Sequence, residues 1–313
     1  MSTRKPTALF THPACLGHET PAGHPEQVAR LQAIETVLAD RPGLLRLAAP
    51  ACSDDDILLC HPQSHLQHIL ASAPAQGLVM LDEDTHMSPG SVAAARHAVG
   101  GALAAVDAVL SGQAHNAFVA TRPPGHHAER TRQMGFCLFG NVAIAAQHAL
   151  QRHGLGRVAI VDFDVHHGNG TQDLLWDEPN VLFFSSHQMP LWPGSGRADE
   201  TGAHGQVVNL PLAPGSDGAA MRALYQARVF PQIDAFCPDL LLISAGFDAH
   251  SADPLAQLNW HEDDFTWLTQ NLCALAAKHC AGRVVSVLEG GYDLAALAAS
   301  VAAHVSALQE APA

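Results

Sequence analysis

Short apolar runs alternate with longer segments of helical periodicity along most of this 313-residue chain. Runs at 7–10, 116–121, 157–161, 181–184, 240–244 and 284–288 have the length and composition of strands. The run Leu240-Leu241-Leu242-Ile243-Ser244 shows no alternation, the pattern of a parallel strand covered on both faces. Between the strands, apolar residues recur near every 3.6 positions. Val28, Leu31, Ile34, Val37 and Leu38 predict a helix ending near Asp40, and further helices are expected at 61–70, 88–110, 141–153, 171–176, 217–236 and 294–308. In the second of these long helices Ser88 is the expected cap and Pro89 the first helical residue. Its Gly100-Gly101 pair permits close packing but lowers helix propensity. Alternating strands and helices predict an α/β fold, a three-layer α/β/α sandwich on a mainly parallel sheet. With no linker, repeat or low-complexity tract, one domain over 1–313 is expected.

Polar residues gather where these strands should end, which is where open α/β sheets carry their chemistry. After the run ending at Val161 comes Asp162-Phe163-Asp164-Val165-His166-His167-Gly168-Asn169-Gly170-Thr171. In extended chain Asp162, Asp164 and His166 project to one side. Two carboxylates and an imidazole on one face are costly to bury unless a cation lies among them, so a divalent metal is expected there; a solvated loop is the plainer alternative. Three other strand ends carry His126-His127, Asp248 and Tyr292. Asp164, His166 and Asp248 could ligate one metal with a position left open. Tyr292 is suited to donate to an oxyanion, and the histidine pair to supply base and acid, with Asp162 and Asn169 as orienting partners. Arg30 reads equally well as a surface salt bridge or a functional residue. Trp192, in a Gly/Pro loop, reads first as a packing anchor and second as a substrate wall.

A formal net charge of −14 disfavours a nucleic-acid partner and tolerates cationic substrates. The 21 histidines make a metal site more plausible. Seven cysteines without a CxxC pair suggest free thiols in a reducing cytoplasm. No run approaches ~18 uninterrupted apolar residues and the first residues carry no apolar signal, so a cytoplasmic protein without membrane contact is expected.

Taken together, Pro123-Pro124-Gly125-His126-His127, Asp162-x-Asp164-x-His166-His167-Gly168-Asn169-Gly170-Thr171, Ala245-Gly246-Phe247-Asp248-x-His250-x-x-Asp253-Pro254-Leu255 and Glu289-Gly290-Gly291-Tyr292 resemble the zinc-dependent histone deacetylase superfamily, most nearly its class II-like bacterial amidohydrolases. The resemblance extends from Gly17-His18 and His24-Pro25-Glu26 to Tyr292. It implies an arginase/deacetylase-like fold and one catalytic zinc on Asp164, His166 and Asp248. It assigns His127 as general base to zinc-bound water, His126 with Asp162 as an electrostatic or acid partner, and Tyr292 to the oxyanion. Asn169 behind His127 matches class II members, and a neutral amide leaves the imidazole less basic than a carboxylate would. The resemblance also implies potassium near Asp162, Asp164, Ser185 and the carbonyls of His166 and Ser186, with a second ion near Leu175 and Val181. An acyl-lysine tunnel is implied between Phe136 and Trp192, where Phe or Tyr is usual, with Leu255, Gly291 and a rim carboxylate at Asp84. Arg30 matches an arginine near a product channel.

The implied activity is hydrolysis of N-acyl amides, foremost acetyl-lysine side chains. Acetylpolyamines and other small acyl amides or esters stay open as substrates. A binuclear manganese ureohydrolase and a non-catalytic acyl-lysine binding protein are the rival readings. Oligomeric state is not legible in the sequence.

Overall fold

A computed structural model describes residues 5–312. Its strands in chain order are β1 (Thr7–Thr11), β2 (Leu44–Ala48), β3 (Val79–Met80), β4 (His86–Met87), β5 (Asn116–Val119), β6 (Val158–Asp162), β7 (Val181–Gln188), β8 (Val207–Leu212), β9 (Leu240–Ala245) and β10 (Val284–Leu288). Eight of them form one sheet in the order β2-β1-β5-β10-β9-β6-β7-β8. Every neighbouring pair in it is parallel. β3 and β4 pair antiparallel as a separate hairpin.

The helices are α1 (Ala29–Leu38), α2 (Asp54–Ile57), α3 (Gln63–Ser72), α4 (Ser91–Ser111), α5 (Asn141–Gln151), α6 (Asn169–Leu174), α7 (Gly218–Leu224), α8 (Phe230–Phe236), α9 (Glu262–Cys280) and α10 (Leu294–Glu310). Strand alternation divides the interior into two cores. Ala8 and Phe10, Val158 and Ile160, Leu240 and Leu242 enter the core under α4 and α5. Leu9, Ala159, Val161, Leu241 and Ile243 enter the opposite core, under α1, α9 and α10. The expected three layers are therefore present, and both faces of the sheet are covered.

The strands absent from the sequence reading are the hairpin and the two edges of the large sheet. β2 is partly exposed along its length, and β8 contains Pro211, which an edge strand tolerates because one side of its backbone has no ladder partner. β7 runs four residues past the expected Phe184, since 185–188 continue the pairing with β8. α4 begins at Ser91, not at Pro89. Ser88 is no cap; its hydroxyl donates to the Gly17 carbonyl and accepts from Glu19 N–H, tying the helix entry to an earlier loop. The segment expected as one helix over 217–236 is α7 and α8 joined through a π-helical turn at Tyr225–Val229. The Gly100-Gly101 expectation holds: a Cβ on Gly100 would sit 2.1 Å from the Pro50 carbonyl oxygen. α4 is long and apolar enough to cross a membrane by length and composition, and here it packs on β1, β5, β10 and α5.

Candidate metal centre

β6 ends at Asp162, level with Ser185 of β7 on one side and Ser244 of β9 on the other. Past that point the chain bends at 164–166, with Phe163 and Val165 in the core beneath α9 and Asp164 and His166 turned to the site. The loop after β9 brings Asp248 to them. His166 Nδ1 lies 3.2 Å from Asp164 Oδ1 and 3.2 Å from Asp248 Oδ2. Backbone N–H groups fix both carboxylates: Val165 donates to Asp248 Oδ1 and Gly290 to Asp164 Oδ2, each at 2.9 Å. The glycines of the surrounding motifs are needed here. A Cβ on Gly246 would come within 2.1 Å of Asp164 Oδ2, and one on Gly290 within 2.2 Å of Asp248 Oδ2.

All three donors are buried, with ligand atoms within 4.8 Å of one another. Burial disfavours a charged imidazole, yet the Asp164 and Asp248 carboxylates outweigh it and raise His166 to about 10. Burial and the neighbouring Asp164 push Asp248 up to about 6. Asp164 is the more acidic partner, held far below the usual carboxylate range by His126 and His166 against the effect of burial. Two buried carboxylates thus converge with His166 Nδ1. A divalent cation among them would meet two hard oxygen donors and an imidazole, a set that suits zinc.

The turn after β5 presents the histidine pair, whose rings are 3.8 Å apart. His126 Nδ1 lies 3.0 Å from Asp162 Oδ2, and His127 Nδ1 lies 2.7 Å from Asn169 Oδ1. Burial opposes charge on His126, but Asp164 and Asp162 hold it well above the usual histidine value. Burial together with His126 and His166 holds His127 well below it. Adjacent histidines with one protonated and one neutral side chain are suited to different tasks. Glu289 fixes the turn itself, its Oε2 accepting from Gly125 N–H at 2.7 Å and His126 N–H at 3.1 Å.

Of these groups His127 and His166 line a cavity of about 220 Å³ walled by Phe136, Trp192, Leu191 and Leu255. His127, His166 and Tyr292 face into it. Trp192 is a wall and not a buried anchor: it is 41% exposed, and its ring meets His127 edge-on at 4.7 Å. Asp84 does line the cavity, with Oδ1 accepting from Gly135 N–H at 3.2 Å and the Thr85 hydroxyl at 3.0 Å. Gly291 is not among the residues that line the cavity; its φ is +117°, and its carbonyl accepts from Arg30 Nε at 2.7 Å.

Arg30 is no surface residue. It is fully buried, bonded to the Gly291 and Glu289 carbonyls and paired with Glu26 at 3.2 Å. Glu26 in turn accepts from Nε and Nη2 of buried Arg122. Neither Glu26 nor Arg122 received a role from sequence reasoning, although a Glu four residues before a helical Arg is a readable pairing signal. Among the groups named for potassium, Asp162 and Ser185 are side by side in the sheet. Ser185 Oγ also contacts His187 Nδ1 at 3.0 Å, and the Ser186 hydroxyl is 2.7 Å from that of Tyr225. The Leu175 carbonyl accepts from Gln206 at 3.1 Å. All seven cysteines are free.

The family model for the histone deacetylase domain matches residues 24–308. A histone deacetylase-like amidohydrolase of Pseudomonas aeruginosa is 41% identical over 285 residues, which cover 90% of this chain and 74% of that protein. The polyamine deacetylase HDAC10 of Homo sapiens is 41% identical over 283 residues, covering 86% of this chain and 42% of that protein. Among solved structures, the HDA15 HD domain superposes with a TM-score of 0.92 at 34% identity, over 98% of this chain and 88% of that one.

Proposed function

Since this chain belongs to the histone deacetylase family, we propose that it is a zinc-dependent hydrolase of N-acyl amides whose preferred substrate is an acetylated lysine side chain. The observation that carries this reading is the placement of a neutral histidine, His127, and a phenol, Tyr292, beside the Asp164–His166–Asp248 donor set at the base of an apolar-walled cavity. When bound by those three residues, zinc supplies Lewis acidity toward an acyl carbonyl and toward water.

The chain's own groups account for the rest. Phe136, Trp192 and Leu255 bury the methylene stem of a lysine while its backbone stays outside. His127 takes a proton at Nε2, because Asn169 occupies its Nδ1. His126, kept charged by Asp162 and Asp164, favours negative charge developing on the acyl oxygen and is the acid partner of His127 in this reading. The Tyr292 hydroxyl stays protonated, since burial and the Asp248 carboxylate push it well above its usual value, and so it remains a hydrogen-bond donor to that oxygen. A potassium ion beside Asp162, Asp164 and Ser185 belongs to the same proposal, supported by the adjacent register of Asp162 and Ser185.

A second reading, acetylpolyamine hydrolysis, is favoured by the similarity to HDAC10 and by the acidic Asp84 on the cavity wall. The test is acetate release by the zinc-loaded protein from an acetyl-lysine peptide and from acetylspermidine at equal concentrations. Faster peptide turnover supports the lysine reading. Faster polyamine turnover replaces it with the second, and no release from either substrate rejects both.

A further inference from the structure

We propose that Glu129 is a positioning residue for His127: acting through Asn169, it selects the imidazole tautomer in which Nε2 carries no proton. The inference rests on the base role given to His127 above. His127 Nδ1 is 2.7 Å from Asn169 Oδ1, and Asn169 Nδ2 is 2.7 Å from Glu129 Oε1. An amide can face an imidazole with either end. Facing with oxygen, it demands Nδ1–H and leaves Nε2 bare; facing with NH₂, it demands a bare Nδ1 and puts the proton on Nε2, where it blocks a base. Asn169 cannot choose by itself. The other neighbour of its NH₂ is Met134 Sδ at 3.3 Å, a weak acceptor. A carboxylate accepts only, so Glu129 imposes the NH₂ end on itself and the oxygen on His127.

The backbone around Glu129 is held in place for this task. Glu129 N–H donates to the Arg132 carbonyl at 2.9 Å, closing a tight turn. Arg130 N–H donates to Asp173 Oδ2 at 2.7 Å. Asp173 and Asn169 lie four residues apart on α6 and so share a face, which lets one helix grip both the turn and the histidine behind it. Gly170 brings the two together, since a Cβ there would lie 2.4 Å from the Ala128 carbonyl oxygen.

The test combines ¹⁵N NMR of the histidine-labelled, zinc-loaded protein with steady-state kinetics on an acetyl-lysine peptide. In the parent, His127 is expected as the Nδ1–H tautomer. Glu129→Ala should introduce the Nε2–H tautomer and lower kcat ~10-fold or more, with KM and zinc content unchanged. Glu129→Gln offers Asn169 an amide that can turn either end toward it, so it should restore only part of the lost rate while keeping fold and zinc. In an Asn169→Asp background the partner of His127 offers oxygen from either side, so adding Glu129→Ala should no longer lower kcat. An unchanged tautomer with parental kcat in Glu129→Ala would overturn the proposal. So would an equal loss in the Asn169→Asp background, or a loss of fold or zinc shared by Glu129→Ala and Glu129→Gln. The tautomer is read without substrate, so a parent that hydrolyses neither acyl amine would reject the proposed activity and leave this measurement decisive for Glu129.

Discussion

The Arg30 guanidinium lies over the Tyr292 ring, its carbon 4.9 Å from the ring centroid, while its Nε bonds the carbonyl of the preceding residue, Gly291. One side chain therefore sets both the face and the backbone of the residue proposed to hold the oxyanion. Lysine offers a point charge and cannot cover the ring while bonding two carbonyls. Arg30→Lys is expected to lower kcat on an acetyl-lysine peptide and to destabilise the fold by roughly 1–3 kcal/mol, the cost of leaving buried carbonyls unpaired. Urea denaturation and kinetics check the two parts separately, and parental values for both would remove Arg30 from this role.

Tyr292→Phe removes one hydroxyl and leaves the donor set untouched. Zinc stoichiometry should stay at the parental value while turnover falls by ~10²-fold or more. A variant that hydrolysed acyl-lysine at the parental rate would take the oxyanion role away from Tyr292.

Asp248→Ala deletes one of the two carboxylates that face His166 Nδ1. Metal analysis after gel filtration should show zinc lost from this variant and retained by the parent. Stoichiometric zinc in Asp248→Ala would exclude the residue as a ligand.

Gly135 has φ +56°, and a Cβ there would lie 2.5 Å from His127 Cδ2 and 2.6 Å from Trp192. Gly135→Ala must therefore displace His127 or Trp192. Overpacking of this kind costs about 1–3 kcal/mol. Activity should fall while zinc is retained; a crystal structure with both rings unmoved would contradict the expectation.

His304 is fully buried among the rings of Phe118, Phe163 and Phe247. Thr269 and Ser286 hydroxyls bond its two nitrogens, which satisfies a neutral imidazole completely. Burial lowers its pKa to about 3, against an ordinary value of 6.5 in the unfolded chain. Between those two values the unfolded chain binds a proton that the folded chain refuses, so this contribution to stability is full above pH 6.5 and declines as the pH falls toward 3. His304→Gln should be less stable than the parent at pH 7.5 yet lose roughly 2 kcal/mol less on going from pH 7.5 to 5. Urea midpoints of both proteins at the two pH values check it, and parallel pH slopes would refute it.

What was legible in the sequence follows from the range of each interaction. Alternation brought Asp162, Asp164 and His166 together on paper, and the fold brings them together although the strand stops at Asp162 and the chain bends at 164–166; the buried strands announced themselves as apolar runs. The edge strands β2 and β8 did not, because a strand with one neighbour need not be apolar throughout. Arg30 was equally ambiguous: its defining partner, the Gly291 carbonyl, lies 261 residues away, and no local pattern distinguishes that arrangement from a surface ion pair. Arg122 and Glu26 escaped for the same reason across 96 residues. The resemblance put Gly291 in the tunnel; in the fold its φ is +117° and its carbonyl is bonded by Arg30. Glu129 was readable only as an ordinary turn residue, since its value depends on which end of an amide it captures.

The order of the sheet carries a consequence for how the protein is made. The strands that deliver the site, β5, β10, β9 and β6, are consecutive in space but not in the chain, and the last to be synthesised inserts between β5 and β9. A nascent chain that has emerged through β7 holds Asp164, His166 and both histidines, yet lacks Asp248, the Gly290 N–H that fixes Asp164, and the Glu289 carboxylate that fixes the histidine turn. On the proposed zinc role, the three donors and the groups that fix them come together only once β10 has paired between β5 and β9, so metal uptake would report that this strand has reached its slot.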